Sequence, residues 1–198
     1  MFGVGGLIAR LVRRGRRVRL VAVTDGEAAF GAVSDVARRH LAARRAQERD
    51  AALDALGAAG SVDVVRLCLP DGAVADHEHT LADELSALAG PVVLATWRHD
   101  GHPDHEATGR AAAVAAGGRG ARLVEYTVWA AHRHRLTSER LSSTRRVRFV
   151  PLAPPDRAAK VRAVAEFRSQ LEPSPDGRPV VPAGLVARLR IDDEVLLS

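Results

Sequence analysis

The 198-residue chain has few residues of the types that build disulfides, thiolate metal sites or base-stacking surfaces. Cys68 is its only cysteine, which excludes an intrachain disulfide and a cysteine-rich zinc site. Because Cys68 lies within an apolar run, we predict that it is a buried core residue. Lys160 is the only lysine, so the net charge of +5 comes from scattered arginines, and aromatic residues make up 4% of the chain. We therefore predict no nucleic-acid partner.

Long apolar segments are missing as well. No apolar run approaches the roughly 20 residues that a membrane-spanning helix needs. Residues 1–10 do not show the basic region followed by an apolar region that marks a secretory signal. We therefore expect a cytoplasmic protein without a membrane span. A composition of 46% hydrophobic and 27% charged residues suits one globular domain that buries a substantial core.

Short apolar runs alternate with helical patterns along the first two thirds of the chain. The predicted strands cover residues 18–23, 62–69, 91–97 and 122–129. The predicted helices cover residues 2–14, 34–56, 79–88 and 104–116, the last one ended by Gly117 and Gly118. This alternation predicts a mainly parallel sheet with helices on both faces, which is an α/β architecture.

The rhythm changes after residue 130. We therefore divide the predicted single domain, residues 1–198, into an α/β core over 1–130 and a C-terminal extension over 131–198. Within the extension, the pattern predicts a strand over 145–150 and a helix over 156–170. Residues 191–197 fit either a short edge strand or part of a final helix, and the sequence leaves both open.

Polar residues follow three successive predicted strands. Glu27 follows the first strand, Asp71 follows the second, and His102 and His105 follow the third. The carboxyl ends of strands in an open α/β sheet are where ligands collect, so we expect these side chains to face one cleft.

The segment 99–105 reads His-Asp-Gly-His-Pro-Asp-His. His102 and His105 are three residues apart, so both imidazoles can share one face of a first helical turn. Pro103 suits the first helical position, and Asp104 complements the positive end of the helix dipole. A capped helix start with two surface histidines explains the same spacing, and the motif alone does not decide between the two interpretations.

The combined motifs resemble the PIG-L / LmbE-like family of zinc-dependent N-acetylglucosaminyl deacetylases. The resemblance extends over nearly the whole chain and implies a Rossmann-like three-layer α/β sandwich. It is carried by Gly5-Gly6, Thr24-Asp25-Gly26-Glu27, Arg45 with Glu48, Asp71-Gly72, His102-Pro103-Asp104-His105, and Lys160 with Ser169-Gln170.

The resemblance implies hydrolysis of an acetamide on a glucosamine-type sugar or conjugate. It implies zinc as the cofactor and His105 as a zinc ligand. His102 matches the histidine that stabilises the oxyanion or protonates the leaving group, and Asp104 is placed to orient a neighbouring imidazole. The implied partner is a small acetylated aminosugar, while the oligomeric state stays open.

Three further residues match family positions on the substrate side of the pocket: Glu27, Arg45 and Asp71. A carboxylate can accept hydrogen bonds from sugar hydroxyls, and an arginine can donate to them or to a phosphate. A solvated helix face accounts equally well for Arg45. A Pro-Asp-Gly turn accounts for Asp71 by itself.

One family motif has no counterpart here. Similar proteins begin with a strand and a His-Pro-Asp-Asp-Glu segment, which carries two zinc ligands and the general base. We hypothesise that Met1 is an internal methionine of a longer protein, which the upstream reading frame tests. Compared with the family, the given sequence lacks the residues of the first central strand and keeps one of the three zinc ligands, His105. The resemblance therefore implies weak or absent zinc binding. Two functions follow: a metal-dependent deacetylase, which is inactive if that motif is truly absent, or a noncatalytic sugar-binding protein of the same fold.

Overall fold

The computed structural model describes residues 1–31, 33–132, 146–174, 177–191 and 193–198. These residues form a mixed α/β fold, which confirms the predicted class. They fall into two compact units. The first unit combines Met1–Asp71 with Pro151–Glu194, and the second combines Gly72–Val150 with Val195–Ser198. The predicted boundary near residue 130 stays a prediction, and residues 133–145 of the predicted extension lie outside the described residues.

The first unit contains two strands and five helices among its described residues. They are α1 (Gly5–Arg13), β1 (Val18–Ala22), α2 (Asp35–Ala55), β2 (Val62–Arg66), α6 (Pro154–Ala165), α7 (Arg168–Leu171) and α8 (Ala183–Ile191). The predicted start of α2 is confirmed, because the Ser34 side chain accepts a hydrogen bond from the Ala37 backbone N–H. β1 and β2 are parallel, with Val18 opposite Val62.

Helix α6 organises the core of the first unit by packing against α1 and α2. Its inward face carries two charged side chains that are fully buried, Asp156 and Lys160. Asp156 accepts hydrogen bonds from Arg10 and Arg13 on α1. Lys160 pairs with Glu194 at 2.9 Å. Because each buried charge has a partner of opposite sign, burial of this polar face is tolerated.

The second unit contains β3 (Val92–Thr96), α3 (Glu78–Leu88), α4 (Pro103–Arg119), β4 (Arg122–Tyr126), the short helix α5 (Trp129–His132) and β5 (Val147–Val150). A 3-10 turn over Val74–His77 precedes α3. β6 (Glu194–Leu197) adds the last strand. The core of this second unit contains a packed cluster of Trp97, Ala130 and Leu197.

The described strands form two sheets. One is the pair β1-β2, and the other has the order β3-β4-β6-β5. β3 and β4 are parallel, as predicted for the first four strands, whereas β6 runs antiparallel to β4. Within the described residues, β1 and β3 are therefore both edge strands of their own sheets.

Helix α4 lies very close to β3 because its buried side consists of small residues. A Cβ atom added at Gly109 would lie 2.5 Å from the Thr96 carbonyl oxygen and 2.8 Å from the Arg98 backbone nitrogen. Only glycine permits this approach. The start of α4, which carries the histidine motif, is thereby fixed against the end of β3.

Three predictions from the sequence are wrong. Cys68 is exposed rather than buried, because β2 ends at Arg66 and Cys68 lies beyond it with a φ of 52°. Helix α4 does not stop at Gly117 and Gly118, which face open space, but continues to Arg119 and ends on Gly120 with a left-handed φ of 61°. β6 is a strand, which was one of the two predicted alternatives, but it is an inner strand between β4 and β5 and not the predicted edge strand.

Candidate active site

The loop between β3 and α4 carries the histidine motif in the second unit. His102 is the N-cap residue of α4 with extended backbone angles, and Pro103 is at the first helical position, as predicted. Gly101 has a φ of 85°, which favours glycine and lets the chain turn sharply between Asp100 and His102. The Gly101 N–H donates to Glu106 at 2.9 Å, and Thr96 donates to the His105 carbonyl oxygen at 2.9 Å. These contacts fix the loop against the first turn of the helix.

Asp100 is the most completely buried carboxylate of this loop, with 0% exposure. Its Oδ1 accepts hydrogen bonds from the backbone N–H groups of Val128 at 2.8 Å and Ala130 at 3.0 Å. Its Oδ2 accepts one from Trp129 N–H at 3.1 Å and lies 2.6 Å from Nδ1 of His105. Four donors thus surround one carboxylate, which satisfies both of its oxygens.

The charge of Asp100 is stabilised by these neighbours. Burial by itself raises the pKa of a carboxyl group, but the His105 imidazole and the backbone N–H groups of Ala130 and Val128 outweigh it, so the pKa of Asp100 lies below its ordinary value. Burial, together with the negative charge of Asp100, raises the pKa of Tyr126 to about 12. Asp100 is therefore an anion held inside the protein.

The two imidazoles of the motif lie side by side. The ring centroids of His102 and His105 are 4.8 Å apart, with 35° between the ring planes. The ring of Trp129 lies near that of His102, with centroids 6.4 Å apart and planes 21° apart. The structure thus brings His102 and His105 together as the spacing predicted.

Asp104, the carboxylate of the motif, is buried and has a different set of neighbours. It accepts hydrogen bonds from Gly72 N–H at 2.8 Å and from Val74 N–H at 3.3 Å. The carboxylate that contacts the Nδ1 atom of His105 is Asp100. Sequence reasoning did not single out Asp100, although an aspartate at the end of a strand, two residues before the first histidine, was a signal that could have identified it.

The three residues predicted for the substrate side lie in the first unit, close to one another. Glu27 accepts a hydrogen bond from Asp71 N–H at 2.9 Å, and Asp71 accepts one from Ala28 N–H at 3.0 Å. The guanidinium of Arg45 donates to the Gly26 carbonyl oxygen and to the Ser169 hydroxyl. The loop after β1, the loop after β2 and helix α2 therefore meet at this cluster of Glu27, Arg45 and Asp71.

Helix α2 carries a second anchor beside this cluster. Glu48, which is buried, accepts hydrogen bonds from both the backbone N–H and the hydroxyl of Ser169, each at 2.7 Å. The Ser169 hydroxyl is in turn the acceptor for Arg45. These contacts fix the α2 segment that carries Arg45.

Two atoms of this cluster are buried without a hydrogen-bond partner among the described residues: Oε2 of Glu27 and Nη2 of Arg45. Burial lowers the pKa of the Arg45 guanidinium from its ordinary value, against the opposing charges of Asp71, Glu48 and Glu27. A buried acceptor and a buried donor that lack partners are expected where a polar ligand supplies them.

The chemistry implied by a zinc cofactor requires a suitable donor set. A catalytic zinc takes three protein ligands and keeps one position open. Within the described ranges, no group of three or more histidine, cysteine, aspartate or glutamate side chains could hold a metal ion. The donor set that the structure describes therefore does not fit a catalytic zinc, for which the resemblance implies His105 as a ligand.

Comparison with known proteins identifies the family. The family model of PIG-L, described as GlcNAc-PI de-N-acetylase, matches residues 1–116. The chain belongs to the PIG-L family. The match covers the histidine motif and the Glu27, Arg45 and Asp71 cluster. No curated protein sequence matches this PIG-L family chain.

Solved structures share the fold of the PIG-L family chain. The pseudoaglycone deacetylase Dbv21 is 23% identical, with a TM-score of 0.68 over 99% of this chain and 90% of that one. The zinc inhibited form of teicoplanin deacetylase Orf2 is 17% identical, with a TM-score of 0.70 over 99% and 92%. The N,N'-diacetylchitobiose deacetylase from Pyrococcus horikoshii is 20% identical, with a TM-score of 0.60 over 85% and 65%.

These neighbours establish the deacetylase fold of the PIG-L family for this chain. The substrates in their names, the A40926 pseudoaglycone, teicoplanin and diacetylchitobiose, belong to those proteins. In the part of the chain that the structure describes, no helix combines the length and apolar character that a bilayer crossing requires.

Proposed function

We propose that this PIG-L family chain removes an N-acetyl group from a glucosamine-type sugar or sugar conjugate. The observation that carries the proposal is the pair of adjacent imidazoles, His102 and His105, at the start of α4 beside the buried anion Asp100. Membership of the PIG-L family and the deacetylase fold of the structural neighbours support the same reaction class.

The roles follow from what each side chain can offer. Water attacks the acetamide carbonyl carbon and gives a proton to the free ring nitrogen of His105, and the C–N bond then breaks to release acetate and the amine. His102 donates a hydrogen bond to the oxyanion that forms on the way, or gives its proton to the leaving amine. His105 presents its second ring nitrogen to the reacting centre, while its Nδ1 is engaged by Asp100. Asp104 holds the backbone of Gly72 and Val74, which follow Asp71 in the chain.

Glu27, Arg45 and Asp71 bind the substrate in this proposal. The unpartnered oxygen of Glu27 and the unpartnered nitrogen of Arg45 suit sugar hydroxyls, which both donate and accept hydrogen bonds. Zinc would raise the nucleophilicity of water and polarise the amide carbonyl. The described residues hold no group of three or more ligand side chains for it, so the roles above are assigned without zinc.

Acetate release tests the proposal. We expect the purified chain to release acetate from N-acetylglucosamine or diacetylchitobiose, and His105→Ala and His102→Ala to reduce the rate by 10²-fold or more, as is typical of general acid–base groups (about 10²–10⁴). His79→Ala is the matched control, since His79 is an exposed histidine paired with Asp83 on α3. Equal rates in all three variants and the parent would refute the assignment.

A second function is favoured by one observation. The described residues hold no group of three or more histidine, cysteine, aspartate or glutamate side chains that could hold a metal ion, which favours sugar binding without catalysis as the second candidate. Calorimetric binding of acetylated aminosugars without acetate release, in protein without stoichiometric zinc, would establish a noncatalytic sugar-binding protein. Binding lost in Glu27→Gln and Arg45→Gln would then locate the sugar at their cluster.

A further inference from the structure

The contact between Asp100 and His105 carries information about the proton on the imidazole. Asp100 is fully buried, and its Oδ2 lies 2.6 Å from His105 Nδ1. An ionised carboxylate can only accept hydrogen bonds. The Nδ1 atom must therefore carry the proton, which leaves the lone pair of the neutral ring on Nε2.

Asp100 cannot turn away from this contact. Its other oxygen is held by the backbone N–H groups of Val128 and Ala130, and Oδ2 also accepts from Trp129 N–H. Three backbone donors from one turn thus fix both the position and the charge of the carboxylate. A partner held in this way sets the tautomer and the orientation of an imidazole, as carboxylates do next to metal-bound and catalytic histidines.

We propose that Asp100 is the positioning residue of the site: it holds His105 as the Nδ1–H tautomer and directs the Nε2 lone pair toward the reacting centre. Asp100 itself does not touch the substrate. The proposal deepens the proposed function, on which its catalytic meaning rests, but the tautomer is a property of the free protein and can be measured without any reaction.

The isosteric change Asp100→Asn separates this role from a purely structural one. The asparagine carbonyl oxygen can keep the hydrogen bonds from Val128 and Ala130, which places the NH₂ group where Oδ2 was. That group donates, so it favours a bare Nδ1 and moves the proton of His105 to Nε2. The loop keeps most of its hydrogen bonds while the tautomer reverses.

Nitrogen-15 NMR of histidine-labelled protein measures the tautomer directly. Spectra are recorded at increasing pH until the histidine signals no longer change, and the tautomer is assigned from those final spectra. The His105 signals are assigned by their loss in His105→Gln. We expect a charge-assisted hydrogen bond to make the favoured tautomer at least about tenfold more populated than the other.

We expect Nδ1–H to dominate in the parent protein and Nε2–H to dominate in Asp100→Asn. Asp104→Asn is the matched control: it removes a buried carboxylate that also caps two backbone N–H groups, and it should leave the His105 tautomer unchanged. Asp100→Glu keeps a carboxylate and is expected to restore Nδ1–H.

An Nε2–H tautomer in the parent protein overturns the proposal even if Asp100→Asn does not fold. Retention of Nδ1–H in folded Asp100→Asn, or reversal in Asp104→Asn, overturns it as well. Acetate release by the same samples is a separate readout. If the tautomers are as expected but no acetate is released, the result counts against the proposed function and leaves the positioning role of Asp100 intact.

Discussion

Loss of the Glu194 carboxylate should destabilise the protein strongly, because two backbone donors and a buried cation depend on it. Its Oε1 accepts from Gly6 N–H at 2.8 Å and from Lys160 at 2.9 Å, and its Oε2 accepts from Leu7 N–H at 2.8 Å. Gly6 and Leu7 belong to the first turn of α1, whose free N–H groups favour a negative charge. Lys160 and Glu194 are 1% and 2% exposed.

Glu194→Ala removes all of these contacts at once. It leaves the buried ammonium of Lys160 without its carboxylate, a change that costs about 3–5 kcal/mol in buried pairs. Lys160→Met is expected to cost less, about 1.5–3 kcal/mol for one charge-assisted hydrogen bond, because Glu194 keeps its two backbone donors. The order of the two losses follows from the unequal number of partners.

Urea denaturation followed by circular dichroism measures both losses as shifts in the free energy of unfolding. The double variant Lys160→Met/Glu194→Gln should be more stable than Glu194→Ala, because neither charge is then left alone and the glutamine oxygen can still accept from α1. A loss below about 1 kcal/mol in Glu194→Ala, or a larger loss in Lys160→Met, would refute the reasoning.

Three further predictions concern glycines and acid stability. Gly109→Ala should destabilise the protein by about 1–3 kcal/mol, since the added Cβ would meet backbone atoms at the end of β3. Gly117→Ala in the same helix faces open space and should stabilise the protein by about 0.5–1 kcal/mol. Thermal unfolding compares the two variants, and equal effects would contradict the packing argument. Gly26→Ala should lower the free energy of unfolding more than Gly31→Ala does. Both glycines have φ near 70°, so both alanines are strained, but only at Gly26 would the added Cβ meet the Arg45 guanidinium. Coinciding urea midpoints of the two variants would contradict this prediction. Burial alone would raise the pKa of Asp156, but its hydrogen bonds with Arg13 and Arg10 outweigh burial and lower that pKa. The stability that Asp156 contributes is therefore present above the unfolded pKa of about 3.9 and is lost as the pH falls through the lower folded pKa. An acid titration of Asp156→Asn should lack that loss, and identical pH profiles of the variant and the parent would contradict the argument.

The elements with strong local signals were predictable from sequence. Ser34 caps α2 and Pro103 begins α4 because capping chemistry is local. The pairing of His102 with His105 was predictable for the same reason, since both lie on one helical turn.

Features that depend on distant segments were not predictable in this way. The donors that hold Asp100 come from residues 128–130, and only the fold brings that turn to the loop. The end of α4 was predicted too early because two glycines were taken as the end of the helix. Gly117 and Gly118 remain within the helix, and the helix ends at Gly120, which has the left-handed conformation of a C-terminal cap. The inner position of β6 follows from pairing with β4, which periodicity does not reveal.

The order β3-β4-β6-β5 has a consequence for how the sheet forms during synthesis. The ribosome releases β4 and β5 before β6, yet β6 must lie between them. β4 and β5 therefore have to remain unpaired with each other until β6 emerges, because direct pairing of β4 with β5 would occupy the edge of β4 to which β6 binds. Completion of this sheet is a late event, and slowing translation across residues 151–193 should prolong the interval in which β4 has an unpaired edge open to wrong partners.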